Sequence, residues 1–335
     1  MNIKTIFNLF KDTFTEWQED KASRLAAALA YYTVFSLAPL VIIILGLVGY
    51  IFGQEATSGY LVEQMQGLMG QEGAALIQTI IAGAAQPTSS MVATIIGLVT
   101  LLLGASGVFG QLQDALNTVW GVAPKPGLGI WGFLQTRFLS FTMVLGVGFL
   151  LLVSLILSAA LSALDQFLVT LLSDASALAL QLLNLVLSFG LVILLFAMIF
   201  KILPDVQIEW RDVWLGAAVT ALLFSVGKFL LGYYLGRQSF GSTYGAAGSL
   251  LLILLWVYYS AQILLFGAEF TQVYTKRFGS GFRPAKNAII LTPEMRARQG
   301  IPHTSPLQEQ DDWQTTFSGP DGSTERKENL ANESG

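Results

Sequence analysis

The long apolar stretches of this sequence contain one charged side chain, Lys228. An ionisable group buried in a membrane is costly, so its presence in such a stretch is by default a functional hypothesis. The ammonium group of a lysine can act as a point-charge partner for the phosphate of a lipid head group. A lysine near the end of a span can instead extend its aliphatic stem until the charge reaches the membrane surface. The sequence leaves both interpretations of Lys228 open.

Uncharged polar groups accompany this lysine in two other apolar stretches. The first stretch carries a tyrosine, a serine and a proline on one helical face, and the proline leaves a carbonyl group one turn earlier without its usual hydrogen bond. The last stretch carries two tyrosines and a glutamine near its middle. We predict that these groups line one cavity open toward the outer half of the membrane; the alternative is that they only join neighbouring helices. The predicted lining consists of Tyr32, Ser36, Pro39, Lys228, Tyr258, Tyr259 and Gln262.

Glu269 lies at the end of the last apolar stretch, close in sequence to Lys276 and Arg277. A structural ion pair at the membrane surface is the simpler interpretation of its carboxylate. The alternative is a carboxyl group that couples transport to proton movement. The sequence therefore marks Glu269 as a structural or coupling acid.

The sequence offers few residues for enzymatic chemistry. It contains no cysteine and one histidine, His303, which lies in a polar tail. Metal-dependent hydrolysis requires clustered histidine and carboxylate ligands, and the densest group of acids, at 205–212, has no histidine beside it. A solvated loop explains these acids. We therefore predict that the protein is not an enzyme, holds no metal or other cofactor, and binds no nucleic acid, because membrane orientation accounts for its basic residues.

The elements that carry these groups are predicted to be transmembrane helices. The 335 residues are 53% hydrophobic and 12% charged, whereas a soluble domain carries roughly 25% charged residues. Six stretches reach the length of about 20 apolar residues that a helix needs to cross the hydrocarbon core. The sequence thus predicts an all-α, polytopic membrane protein. The predicted spans are 25–53, 91–110, 138–164, 178–200, 213–235 and 247–268.

Lysine and arginine are concentrated in alternate loops, which predicts that both termini are cytoplasmic. Residues 1–24 combine an aromatic face with charged residues at helical spacing, as in an amphipathic helix at the cytoplasmic membrane surface; the alternative is that this helix simply packs on the bundle. Residues 25–278 form the six-helix transmembrane domain. Residues 279–335 are rich in small and polar residues, which predicts a disordered cytoplasmic tail with a short ordered stretch at 288–291.

Several motifs in or beside the spans together form a specific pattern, although each is weak alone. In this order they closely resemble the YihY/virulence factor BrkB family of bacterial membrane proteins, over about residues 10–278. The motifs are ALAYYTVFSLAP at 28–39, LNTVW at 116–120, LPD at 203–205, WLGA at 214–217, YGAAGS at 244–249, LWVYYSA at 255–261 and GAE at 267–269.

The resemblance implies a six-helix protein of the bacterial inner membrane with an envelope role. An older ribonuclease BN label of the family is regarded as mistaken, and the lack of clustered metal ligands agrees. A transporter-like role in envelope lipid or solute handling is implied, with membrane lipids as partners. The alternative is a scaffold without transport activity, whose partners would be other envelope proteins. The resemblance carries over no catalytic residue.

Overall fold

The computed structural model describes residues 2–84, 107–126, 146, 175–235 and 246–301. This part of the chain is mostly helical, because its long apolar stretches can satisfy their backbone groups within a membrane only as helices or closed barrels. The helices are α1 (Ile3–Glu19), α2 (Ala22–Phe52), α3 (Gln54–Ala84), α4 (helical at 107–119), α5 (Ala175–Ile202), α6 (Trp210–Leu235), α7 (Ala246–Arg277) and α8 (Pro293–Arg298).

Three of these helices are long and apolar enough to cross a membrane, and a bent fourth, α2, qualifies if its two halves form one span. The halves of α2 are inclined by 43° at Pro39, where the missing N–H group is expected to kink a helix. Two of the predicted spans, 91–110 and 138–164, fall largely outside the described residues. The three straight segments are Leu185–Ile202 in α5, Trp210–Leu231 in α6 and Leu250–Phe278 in α7.

Helix α3 breaks at Gly70, whose φ of 74° lies in the left-handed region that glycine adopts without a steric penalty. The segment after the break, Gly73–Gly83, is apolar but shorter than a span. Its Ile77 is buried against Val41 and Leu45 of α2. The second half of α3 therefore packs on the half of α2 that follows Pro39.

Helices α6 and α7 approach each other closely through two reciprocal glycine–threonine contacts. A Cβ atom added to Gly216 would lie 2.8 Å from Cβ of Thr271, and one added to Gly267 would lie 2.8 Å from Cβ of Thr220. Each threonine hydroxyl donates a 2.7 Å hydrogen bond to the glycine carbonyl one turn earlier in its own helix. The small residues bring the backbones together, as is typical of helix packing in membranes.

One end of the helices is covered by two short antiparallel ladders and by α8. β1 (Val122–Pro124) pairs with β4 (Ala288–Ile290), and β2 (Val206–Gln207) pairs with β3 (Arg283–Pro284). The cover brings together three segments that are far apart in sequence. We call residues 113–126, 201–212 and 279–301 the capped end.

The ordered chain extends beyond the point at which composition predicts disorder. Residues 279–301, which the sequence assigns to the tail, carry β3, β4 and α8. Phe282 is buried edge-on against Trp120, with 5.0 Å between the ring centroids, and Leu291 and Ile301 are also buried. These few apolar side chains change the average composition of the polar segment very little. Their burial is nevertheless enough to hold residues 279–301 against the helices. The rest of the predicted tail, 302–335, lies outside the described residues.

Candidate functional site around the buried acid Glu269

The side chain of Glu269 is fully buried, although it belongs to the membrane-length segment of α7. None of the N–H or O–H donors in the described residues reaches its two oxygens, and another carboxyl group, that of Asp20, lies beside it. The carboxylate of Glu16 and the ammonium group of Lys276 also act on it electrostatically. Glu269 therefore lies in a group of acids rather than in a simple ion pair.

Helix α1 brings these additional acids to Glu269. Leu9, Thr13, Glu16 and Asp20 recur at intervals of three and four residues, so they share one face of the helix, and all four are buried. The hydroxyl of Thr13 donates to the carbonyl of Leu9 at 2.8 Å, which satisfies this group locally. At the end of the helix, Lys21 adopts a left-handed conformation with φ of 53° and starts the corner into α2.

A basic residue from the capped end completes the cluster. Arg296 of α8 is buried and forms an ion pair with Asp20. Its guanidinium group also lies 3.5 Å from the carbonyl oxygen of Thr118 in α4. Beside this pair, the ammonium group of Lys21 donates to the carbonyl of Gly300. Arg296 therefore offsets part of the negative charge and ties α8 to both α1 and α4.

Three carboxyl groups share this cluster with two basic side chains. The carboxyl groups of Glu16, Asp20 and Glu269 repel one another when charged, and Arg296 and Lys276 offset part of that charge. In the described part of the chain no group of three or more histidine or acidic residues could hold a metal ion.

A second polar cluster in the capped end is centred on Asp205. One oxygen of its carboxylate accepts hydrogen bonds from Asn117 at 2.9 Å and from Gln113 at 3.3 Å, and the other accepts from Asn287 at 3.4 Å. The side-chain oxygen of Asn117 accepts the backbone N–H of Asp205 at 2.8 Å. The interpretation of this acid as part of a solvated loop is therefore incomplete, because its carboxylate joins α4 to the segment between β3 and β4.

The predicted polar groups of α2 lie beside α4. Ser36 is buried, Tyr32 is partly exposed, and both face Gly107, where an added Cβ would lie 3.6 Å from the ring of Tyr32 and 3.8 Å from the hydroxyl oxygen of Ser36. Pro39 lies at the bend between the two halves of α2. Within this predicted set, the structure brings Tyr32 and Ser36 together.

The predicted polar groups of α6 and α7 form a second set. Lys228 is exposed, and the ring of Tyr259 lies against the neighbouring Gly227, where an added Cβ would be 2.7 Å from the ring. Tyr258 packs on the main core, and the amide oxygen of Gln262 is buried without a hydrogen-bond partner in the described residues. Helix α2 packs mainly on α3 and α7 rather than on α6. The single cavity that joins both sets stays a prediction.

Sequence reasoning identified one charged neighbour of Glu269 and missed the others. It pointed to Lys276, which acts on Glu269 electrostatically, and to Arg277, whose guanidinium group instead pairs with Asp12 of α1. The available signal was the row of polar residues opposite the aromatic face of α1, which ends in Glu16 and Asp20. Arg296 was hidden because its segment has the composition of a disordered tail.

Comparison with known proteins places this architecture in a family. The family described as Virulence factor BrkB matches residues 13–289. A UPF0761 membrane protein of Tolumonas auensis is 34% identical over 180 residues, which cover 53% of this chain and 56% of that protein. UPF0761 membrane proteins of Stenotrophomonas maltophilia and Xanthomonas campestris are 28% identical over 258 residues (75% of this chain, 57% of the relative) and 27% over 278 residues (82% and 61%).

The chain spans less than two thirds of the length of each of these relatives. No solved structure matches it. The family match covers α2 and α5–α7, together with most of the capped end and the acids around Glu269. The chain is therefore an integral membrane protein that belongs to the Virulence factor BrkB family.

Proposed function

We propose that this protein is a transporter-like component of the bacterial inner membrane that handles an envelope lipid or solute. The observation that carries the proposal is the complete burial of Glu269 in a membrane-length helix beside a second carboxyl group. Ionisable groups are rare in spans, and chains of acids there commonly serve as proton relays. Glu269 is accordingly proposed as the group that couples movement of the transported molecule to a proton.

The proposed topology has six spans, with both termini and the capped end in the cytoplasm, α1 as an amphipathic helix at the cytoplasmic surface, and a cytoplasmic tail. The alternation of lysine and arginine supports it. Because the chain has no cysteine, single cysteines provide the test. Those at Ser58, Ser173 and Ser242 should react with an impermeant thiol reagent in intact cells, whereas those at Thr5 and Ser318 should not. Labelling at Thr5 or Ser318 would reverse the orientation.

The proposed partners are membrane lipids, and the proposal includes neither enzymatic activity nor nucleic-acid binding. The rival function is a scaffold for other envelope proteins. It needs only packing surfaces, so it gives no reason for a carboxyl group buried in a membrane-length helix. A scaffold should co-purify with defined membrane proteins and move nothing by itself.

The experiment is reconstitution of the full chain into vesicles that contain a pH-sensitive dye and fluorescent phosphatidylethanolamine or phosphatidylglycerol. We expect lipid translocation or proton influx that depends on a pH gradient and that falls at least tenfold in Glu269→Gln. The matched control is Glu63→Gln, which neutralises an exposed acid of α3 and should retain full activity. Vesicles that pass neither lipid nor protons under a gradient would refute transport of these probes and favour the scaffold.

A further inference from the structure

The face of α1 opposite its buried acids is exposed and aromatic. Phe7 and Phe14 are 68% and 50% exposed, and their spacing of seven residues aligns them on one side of the helix. Lys4 and Lys11 are also exposed and have the same spacing. One face of α1 therefore presents aromatic rings and lysines to the surroundings of the protein. The other face presents carboxylates to the rest of the protein, so the two faces have different partners.

The position of α1 indicates what surrounds the exposed face. Phe10 stacks on Phe266 and lies against Phe270 of α7, with ring centroids 6.3 Å and 5.3 Å apart. Both partner residues belong to the membrane-length segment of α7. Helix α1 is therefore packed along a span rather than held away from it in water.

The buried face of α1 meets α6, and apolar side chains of α6 are exposed close to this contact. Val219 of α6 packs against the cluster formed by Leu9 and Phe270. Leu215 and Leu222, each about one turn from Val219, are exposed. An exposed apolar surface on a membrane-length helix beside α1 fits acyl chains.

The charge of this face is positive. Of the acids in and next to α1, Glu16 and Asp20 are buried, Asp12 pairs with Arg277, and Glu19 is half-buried at the end of the helix. Lysine stems can lie along an apolar surface while their ammonium groups reach the head-group region. Anionic lipids attract such groups close to the membrane surface.

We propose that the face of α1 formed by Lys4, Phe7, Lys11 and Phe14 is a contact site for anionic phospholipids. The rings enter the boundary between head groups and acyl chains, and the two ammonium groups bind lipid phosphates. This proposal rests on the placement of α1 at the membrane surface given above, and it adds the class of lipid that the helix selects. It also assigns the two faces of α1 to different partners, the bilayer and Glu269.

A fluorophore attached at a single cysteine tests the contact in the full chain. Phe14→Cys, labelled with an environment-sensitive dye, reports from the exposed face of α1. Met295→Cys, on an exposed position of α8 in the capped end, is the matched control. In vesicles of phosphatidylcholine with phosphatidylglycerol, we expect spin-labelled phosphatidylglycerol to quench the α1 dye more strongly than spin-labelled phosphatidylcholine does. The dye on α8 should be quenched by neither lipid.

Charge variants test the selectivity. Lys4→Gln combined with Lys11→Gln should reduce the preference for phosphatidylglycerol, by about fivefold for each lysine that lies at the surface. The control pair Lys286→Gln and Arg298→Gln removes two exposed charges from the capped end and should leave the preference unchanged. Hydrogen exchange of the unlabelled chain gives a second measurement, because α1 should exchange more slowly when phosphatidylglycerol is present.

Three results would overturn the proposal: an α1 dye that stays in water, equal quenching by both lipids, or an equal loss of preference in the control pair. Failure of the transport assay would leave this lipid contact intact. Conversely, if the protein transports but its α1 shows no lipid preference, the lipid contact is rejected and the transport proposal stands.

Discussion

The capped end and the membrane-length helices are held together by different forces. In the capped end, segments far apart in sequence are joined through buried or half-buried polar groups, as in the pair Arg296–Asp20 and the amides around Asp205. Between α6 and α7 the contact is one of shape, because Gly216 and Gly267 leave room for the threonines of the facing helix. A side-chain change therefore acts through unpaired polar groups in one region and through steric overlap in the other.

This difference matters for the candidate site, because Glu269 belongs to both regions. Its backbone is part of α7 and depends on the packing of that helix. Its side chain is covered by α1 and lies beside Asp20, the partner of Arg296. A substitution that disrupts the packing of either region should displace Glu269 or Asp20. Only a substitution in the capped end should directly change the charges around these two carboxyl groups.

The largest effect is expected for Arg296→Met. Removal of one partner of a buried ion pair leaves a charge without compensation and typically costs about 3–5 kcal/mol. We expect a lower midpoint of thermal unfolding in detergent and faster hydrogen exchange at the corner between α1 and α2. Arg298→Met, in the same short helix but exposed, is the control and should leave both measurements almost unchanged. Equal exchange in the two variants would show that the pair does not hold α1.

A smaller effect is expected for Gly216→Ala. The new methyl group would overlap Thr271, and forced overpacking of this kind costs about 2 kcal/mol. Denaturant titration in mixed micelles should detect this loss, with exchange rising in α6 and α7 before it rises in the capped end. Gly190→Ala in α5 is the matched control, because an added Cβ there meets nothing within 4 Å. If both alanines behave alike, close packing of α6 on α7 is not what stabilises the pair.

The effect of Asn287→Ala should be smaller again. It removes one long hydrogen bond, at 3.4 Å, to the carboxylate of Asp205, while the donors Asn117 and Gln113 remain. Loss of a single such bond costs about 1 kcal/mol. Exchange should increase in β3 and β4 and stay constant in α6. The exposed neighbour Lys286→Ala should have no such effect, and an equal loss there would attribute the change to the loop backbone.

The positions of the membrane-length helices could be predicted from the sequence, since an uninterrupted apolar run of about 20 residues can cross the membrane as a helix that satisfies its own backbone groups. The predicted spans 178–200 and 213–235 correspond to α5 and α6 within a few residues. The last span was ended at 268, yet α7 continues through Glu269 to Arg277. A hydropathy criterion ends a predicted span at the first acidic residue. In the structure this residue, Glu269, stays within the helix because α1 covers its side chain.

The acids around Glu269 and the arginine that pairs with one of them could not be predicted, because they come from distant parts of the chain. Asp20 lies about 250 residues before it, and Arg296 lies in a segment whose composition resembles a disordered tail. Asn117 and Asp205 were both visible in motifs, but nothing in either motif indicated that their side chains would meet. Local pattern determines helices, whereas the polar contacts of the capped end depend on tertiary packing.

The smallest effect concerns the start of α8, where the hydroxyl oxygen of Thr292 accepts the N–H of Met295 at 3.3 Å. A hydrogen bond from the same hydroxyl to Glu294 holds the pKa of this exposed carboxyl below its ordinary value of 4.5. A lowered pKa means that the stabilisation is present above about pH 4.5 and is lost as the pH falls through the folded-state value. Thr292→Val should remove both bonds, and we expect faster hydrogen exchange confined to α8 at neutral pH. Glu294→Gln should keep the cap but abolish the acid-induced loosening, and an unchanged pH profile in this variant would assign that loosening to another acid.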